Sequence, residues 1–164
     1  MIVKKICFEC EEDHPKIIPF EYSKITANIF IGTNMCCQGH FKKELLVKGI
    51  KADLSLEENK MDTPWGVEMF LWLPVKDHNP PSKEQVFAGV NFLKTCVKNQ
   101  KKVYVHCARG HTRAPTMVIA YLVSKGMNLE KALSFVKKKR PVIHPTKAQL
   151  SFLKKFEKVA RNVK

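Results

Sequence analysis

The sequence predicts an α/β fold: one domain over residues 1–164, with a central, mostly parallel twisted sheet flanked by helices. Three observations carry this reading. Short β-branched and aromatic runs alternate with longer segments of helical period. Strand, helix and strand follow one another at a spacing that implies parallel crossover units. One strand, 103–107, passes through a turn with a single glycine straight into an apolar helical segment. At 164 residues the chain suits one domain of usual size and can bury a real core.

Taken in order, the first 30 residues favour strand, with Ile2, Val3, Ile6 and Phe8 apolar and Pro15 and Pro19 as breakers. Residues 25–32 (Ile-Thr-Ala-Asn-Ile-Phe-Ile-Gly) read as a second strand ending at a glycine turn. Residues 38–48 place Phe41, Leu45 and Leu46 at helical spacing, and Gly49 closes the expected helix. Residues 50–56 alternate as a strand, 59–66 turn with Asp62, Pro64 and Gly66, and 67–75 form a strongly apolar strand. Residues 73–81 leave it as a loop at the carboxyl edge of the sheet, where such loops place functional side chains. Ser82 with Gln85 forms a capping box for a helix to Lys98, with Val86, Val90, Leu93 and Val97 inward. After the strand 103–107 comes a helix over 114–125, stopped by Gly126. Asn128 caps a helix over 129–139, and Thr146 with Gln149 opens a last helix with Leu150, Leu153, Phe156 and Val159 inward. No internal repeat, linker or low-complexity tract is visible.

The junction of strand 103–107 and the next helix, His106-Cys107-Ala108-Arg109-Gly110-His111-Thr112-Arg113, has its own chemistry. A loop between a strand and a helix gathers backbone N–H groups into one concavity, and the helix N-terminus adds partial positive charge there. Ala108, Arg109, Gly110, His111, Thr112 and Arg113 are therefore candidate anion-binding residues. Cys107 at the entrance would have its thiolate stabilised by those dipoles and by Arg113, which makes it a candidate nucleophile. The planar guanidinium of Arg113 suits two oxygens of a phosphate.

His106-Cys107, five residues, then Arg113, with Gly110 third among the five, resembles the signature of cysteine-dependent protein tyrosine and dual-specificity phosphatases. The Ile-Gly ending of 25–32 and Arg140-Pro141 followed by Pro145 and a final apolar helix resemble the same family, so the likeness runs from about Ile25 to Glu157. The resemblance implies hydrolysis of phosphomonoesters through a phosphocysteine, with no metal or organic cofactor. It also implies a general acid on a loop about 30 residues before the cysteine, and Asp77 lies there. Asp62 is the next candidate and Asp53 a distant third, because it falls inside a predicted strand. His78 could donate a proton, although in an extended loop it would point away from Asp77. His106 is expected behind Cys107, fixing the loop.

One position departs from the pattern. Most of the family has Ser or Thr after the arginine, whose hydroxyl helps the cysteine depart in the second step; here Ala114 stands instead. Slower breakdown of the phosphocysteine is expected, with Thr112 a candidate substitute for the hydroxyl. Arg113-Ala114-Pro115 also resembles plant glucan phosphatases, which have small residues where this chain has Arg109 and Thr112.

The formal net charge is +14. Residues 98–164 carry 17 Lys or Arg against Glu130 and Glu157, while residues 1–97 are nearly balanced. The basic half suggests contact with polyanions, although runs such as Lys137-Lys138-Lys139-Arg140 also suit a solvated helix face. Nothing resembles a membrane span or signal peptide. The six cysteines lack the spacing of a secreted disulfide scaffold, so a reducing, cytoplasmic setting is expected. Cys7-x-x-Cys10 with His14 nearby lacks a second pair and reads as part of an N-terminal strand and its exit rather than a metal site. Cys36, Cys37 or Cys96 could capture an oxidised Cys107 as a disulfide.

The leading expectation is a phosphatase of phosphotyrosine, with phosphoserine and phosphothreonine admitted by a shallow cleft, acting on phosphorylated proteins. The alternatives keep the loop and change its use. One is a phosphatase of RNA 5′ phosphates, phosphoinositides or glucans, which Arg109 and His111 favour. Another is a phosphate-binding module without turnover, supported by Ala114 alone. A rhodanese-like sulfur transferase also has a cysteine loop before a helix, but the five-residue gap to Arg113 fits the phosphatase pattern better.

Overall fold

The computed structural model describes residues 20–34, 41–61 and 64–162. Strands β1 (Tyr22–Lys24), β2 (Ile29–Thr33), β3 (Ile50–Ser55), β4 (Met69–Trp72) and β5 (Lys102–Cys107) build one sheet in the order β1-β2-β5-β3-β4. Only β1 runs antiparallel to its neighbour; β2 and β3 both pair in parallel with β5, and β4 with β3. The described residues hold four α-helices, α1 (Lys83–Lys98), α2 (Arg113–Ser124), α3 (Leu129–Lys139) and α4 (Lys147–Asn162), and all but α2 start at the expected caps Ser82, Asn128 and Thr146.

Strand alternation splits the core into two layers. Ile29, Ile31, Ala52, Leu54, Val103, Val105 and Cys107 face the four helices, while Phe30 and Tyr104 face a smaller cluster with Phe20, Phe41, Leu45 and Ile50. Ile50 and Ala52 have the same parity yet lie in opposite layers, because the β3–β5 register shifts between them. Helix α2 runs through the middle of the large layer, with every residue from Arg113 to Val123 buried. The capping boxes form as read: Ser82 Oγ accepts from Gln85 N at 3.1 Å, and Thr146 Oγ1 from Gln149 N at 3.2 Å.

Three elements differ from expectation. The described part of 38–48 is a wide π-type turn over Phe41–Leu45 and a 3-10 turn over Leu46–Lys48, not a regular helix. Burial of Phe41 and Leu45 under Tyr104 sets its shape, and Gly49 ends it in a left-handed conformation at φ 77°. The strand expected over 67–75 is extended only at Met69–Trp72; Pro74 has no N–H to continue a ladder. Val159 is 43% exposed, because the inward stripe of α4 runs through Gln149, Leu153, Phe156 and Ala160 and leaves Val159 off it. The N-terminal strand with Cys7, Cys10 and His14, and also Cys36, Cys37 and Asp62, lie outside the described residues. No helix among the described residues is long and apolar enough to cross a membrane.

Candidate active site

β5 lies at the centre of the sheet and ends at Cys107, so the loop 107–113 opens at the middle of the carboxyl edge. The five carbonyls from Ala108 to Thr112 are each held by a scaffold group. Ala108 O accepts from Asn34 N at 3.0 Å and His111 O from His144 N at 3.0 Å. Thr112 O accepts from Thr116 N and Oγ1, the latter at 2.7 Å. Arg140, at the end of α3, donates from Nε to Gly110 O at 2.9 Å and from Nη2 to Arg109 O at 3.1 Å. A peptide C=O and the following N–H point in opposite directions. Tying five carbonyls outward therefore turns the N–H groups of residues 109–113 inward, where they form an anion cradle. Gly110 is the tight point: its φ is 64°, and a Cβ there would stand 2.4 Å from Gly32 O.

Arg113 is 2% exposed. Its Nη1 donates to Val75 O at 2.9 Å and Leu56 O at 3.2 Å, and lies 3.4 Å from Glu57 Oε1. Its Nε lies 3.2 Å from Asp77 Oδ1. The guanidinium is thus fixed on one edge by the end of β3 and by Val75 on the loop that carries Asp77, with its other edge toward Asp77 itself. Asp77 is in turn placed from two sides: its N donates to Glu58 Oε1 at 2.8 Å, and α4 holds the next residues through Thr146 Oγ1 to His78 O and Gln149 Nε2 to Asn79 O.

These side chains bound one cavity of about 390 Å³, lined by Asp77, His78, Cys107, Ala108, Arg109, His111, Thr112, Arg113 and His144. The expected general acid, nucleophile and phosphate-binding arginine are therefore brought together. Asp53 is not among them: it is fully buried beneath the sheet edge and faces His106. His106 lies behind Cys107 in the smaller layer and stacks on Tyr104 with centroids 5.4 Å apart. His78, expected to point elsewhere, lines the cavity after all, because a φ of 60° turns the chain there and brings its Nε2 within 3.6 Å of Asp77 Oδ2. Cys96 is buried at the end of α1, which pushes its thiol up to about 11. Its carbonyl accepts from the backbone N–H of Lys101, the residue before β5, a strand's length of about 16 Å from Cys107, so it is too remote to form a disulfide with it.

Sequence reasoning missed five supports: Glu57, Glu58, Arg140, Gln149 and His144. The Glu57-Glu58 pair just past a strand was the available signal for the first two. Arg140 was noticed only as part of a pattern, and nothing local marks an arginine as a clamp on a loop 30 residues away. On the rim, the His111 and His144 rings meet edge-on at 5.2 Å. Burial first, then the charges of Arg140 and His144, holds the His111 imidazole below the ordinary histidine range, with Glu21 acting in the other direction. Among the described residues no group of three or more metal-ligating side chains comes together.

A parallel-centred α/β sheet with a cysteine–arginine anion loop at its middle defines a class, and comparison with known proteins agrees. Residues 29–159 match the family described as "Dual specificity phosphatase, catalytic domain". The chain belongs to that family. It is 28% identical over 140 residues to a viral protein named as a tyrosine phosphatase, 123R of Invertebrate iridescent virus 6, covering 84% of this chain and 93% of that one. It is 28% identical to the tyrosine-protein phosphatase vhp-1 of Caenorhabditis elegans over 82% of this chain but only 21% of that protein. Among solved structures, PTPMT1 in complex with PI(5)P superposes with a TM-score of 0.76 at 25% identity, covering 87% of this chain and 97% of that one. Human DUSP28 gives 0.77 at 23% identity, covering 87% and 99%, and shows the fold alone. The chain is thus a phosphatase of the tyrosine and dual-specificity superfamily.

Proposed function

We propose that this protein hydrolyses phosphotyrosine, and with it phosphoserine and phosphothreonine, in phosphorylated proteins through a phosphocysteine intermediate. The observation that carries the reading is the meeting of Cys107, Arg113 and Asp77 on one cavity of about 390 Å³. The phosphate oxygens take the inward N–H groups of the loop and the Arg113 guanidinium, which draws Asp77 off its 3.2 Å contact with Nε. Cys107 Sγ attacks phosphorus in line, the bond to the leaving oxygen breaks, and Asp77 hands that oxygen its proton. Water then attacks the phosphocysteine, Asp77 takes a proton from it, the S–P bond breaks, and phosphate leaves with the thiolate restored. Glu57 holds Arg113 in register throughout. The test is hydrolysis of p-nitrophenyl phosphate from about pH 4 to 8. Cys107→Ser abolishes turnover, and Asp77→Ala removes the basic limb of a bell-shaped profile. Turnover by Cys107→Ser would overturn the mechanism.

A second reading of the substrate is favoured by Arg109, His111 and His144 on the cavity rim. Arg109, with the two imidazoles as further hydrogen-bonding groups beside the cradle, suits an ester carrying further phosphates, such as a phosphoinositide or an RNA 5′ end, and the similarity to PTPMT1 solved with PI(5)P supports it. The basic C-terminal half would add long-range attraction. Inhibition of p-nitrophenyl phosphate hydrolysis by polyanions, at concentrations where a monophosphorylated peptide is without effect, distinguishes this reading from the first.

A further inference from the structure

One carboxylate in the sheet has no part in the reaction above. Asp53 is 0% exposed, and its neighbours Ala52 and Leu54 point into the helical core, so its own side chain lies on the opposite face. It faces His106 across the β3–β5 pairing, with Oδ1 3.5 Å from Nε2 and both side chains 0% exposed. Among the described residues neither Asp53 oxygen takes a hydrogen bond. A buried carboxylate without compensation costs several kcal/mol in lost hydration, so such groups are kept where a counter-charge faces them. The imidazole is the group placed to supply it.

Tyr104 packs on His106, and its hydroxyl donates to Thr33 O at 2.7 Å rather than to the carboxylate. Its phenol is pushed well above the ordinary tyrosine value, by burial first and then by the Asp53 charge, with Arg140 opposing and Cys107 adding. Beyond Tyr104 the layer is Phe20, Phe30, Phe41, Leu45 and Ile50. Chain order does the rest: His106 immediately precedes Cys107 on β5, whereas Asp53 sits one strand away. The positive member of the pair is thus carried on the residue bonded directly to Cys107, and the negative one is not.

We propose that Asp53 is a positioning residue for Cys107, holding the His106 imidazole protonated so that its charge favours the thiolate. The inference rests on Cys107 being the nucleophile, but its readout is independent of turnover. The full chain is treated with iodoacetamide in phosphate-free buffer, and the rate of Cys107 alkylation is followed by mass. Asp53→Asn, which keeps the shape and removes the charge, slows alkylation about tenfold at pH 5.5, the effect of one pH unit in thiol ionisation, and leaves it unchanged at pH 9. The double variant Asp53→Asn/His106→Asn, which buries no lone charge, matches Asp53→Asn within twofold, because Asp53 acts only through the imidazole. Slowing by the same factor at both pH values, or none at either, overturns the proposal; that is what a purely structural role would give. If Asp53→Asn fails to fold, the His106 ring nitrogen shifts of the wild-type protein at pH 7 decide. Two protonated nitrogens support the pair, and a neutral tautomer overturns it. Phosphate release by Cys107→Ser would defeat the parent reading, whatever the alkylation rates.

Discussion

Arg140→Lys isolates the role of the clamp behind the phosphate loop. Arg140 is 2% exposed and spreads its fork over four acceptors: Gly110 O at 2.9 Å, Arg109 O at 3.1 Å, Glu21 Oε1 at 2.8 Å and Ser23 Oγ at 3.3 Å. Lysine keeps the charge and the stem but offers a single nitrogen, which can satisfy Glu21 and at most one carbonyl. One or two buried acceptors then lose a charge-assisted donor, at about 1.5–3 kcal/mol each. Unfolding free energy should therefore fall by about 2–4 kcal/mol, against a usual total of about 5–15 kcal/mol, so the variant remains folded. The catalytic effect should be larger than the stability loss suggests. With Gly110 O released, the peptide that carries the His111 N–H can rotate out of the cradle, and a displacement of about 1 Å at a reacting centre costs on the order of 10²-fold. Urea unfolding followed by circular dichroism gives the first quantity, and kcat/KM for p-nitrophenyl phosphate gives the second. Orthovanadate affinity should weaken in step with kcat/KM, because both use the same N–H groups. A variant within 0.5 kcal/mol of wild type in stability and within twofold in kcat/KM would refute the claim that Arg140 shapes the loop.

Three further outcomes are expected. Ala114→Ser, at a fully buried position directly after Arg113, should raise the steady-state rate and shrink any pre-steady-state burst of p-nitrophenol in stopped flow, because it returns the missing hydroxyl. Gly110→Ala should cost about 2–4 kcal/mol in a urea melt and at least about 10²-fold in kcat/KM, since its Cβ would lie 2.4 Å from Gly32 O at a φ of 64°. Tyr104→Phe tests the buried phenol by stability against pH. Burial raises its pKa in the folded state, so its contribution is complete below about pH 10, the unfolded value, and is lost above it at about 1.4 kcal/mol per pH unit. The variant should be about 1 kcal/mol less stable near neutrality, through loss of the bond to Thr33 O, and its alkaline decline should be shallower by one proton's slope.

The residues most legible in the sequence were those whose role is set by near neighbours. Ser82 with Gln85 and Thr146 with Gln149 announced two helix starts within four residues, and both capping boxes formed. The β-branched and aromatic run Val103-Tyr104-Val105 was readable as a strand, and its side chains do alternate between the two layers. The cysteine loop was visible because anion binding by a strand–loop–helix junction needs only consecutive residues. What stayed hidden depends on contacts distant in the chain. Arg140 reaches Gly110, and Gln149 reaches Asn79, 70 residues away, and no local pattern encodes either. Asp53 was correctly placed in a strand and for that reason ranked low as an acid, yet its pairing with His106 follows only once β3 lies beside β5. The helix expected over 38–48 rested on real periodicity, since Phe41 and Leu45 do face inward together. They face a thin aromatic layer, which sets a π-type turn in place of the regular spiral.

The central claim is that the reaction passes through a covalent phosphate on Cys107. It is tested most directly by mixing the full chain with ³²P-labelled phosphotyrosyl peptide, quenching in acid within milliseconds and locating the label by peptide mapping. The account predicts label on the peptide containing Cys107, approaching one equivalent in the wild type because Ala114 slows its release, and none in Cys107→Ser. Turnover without label on that peptide, or label carried by another residue, would contradict it.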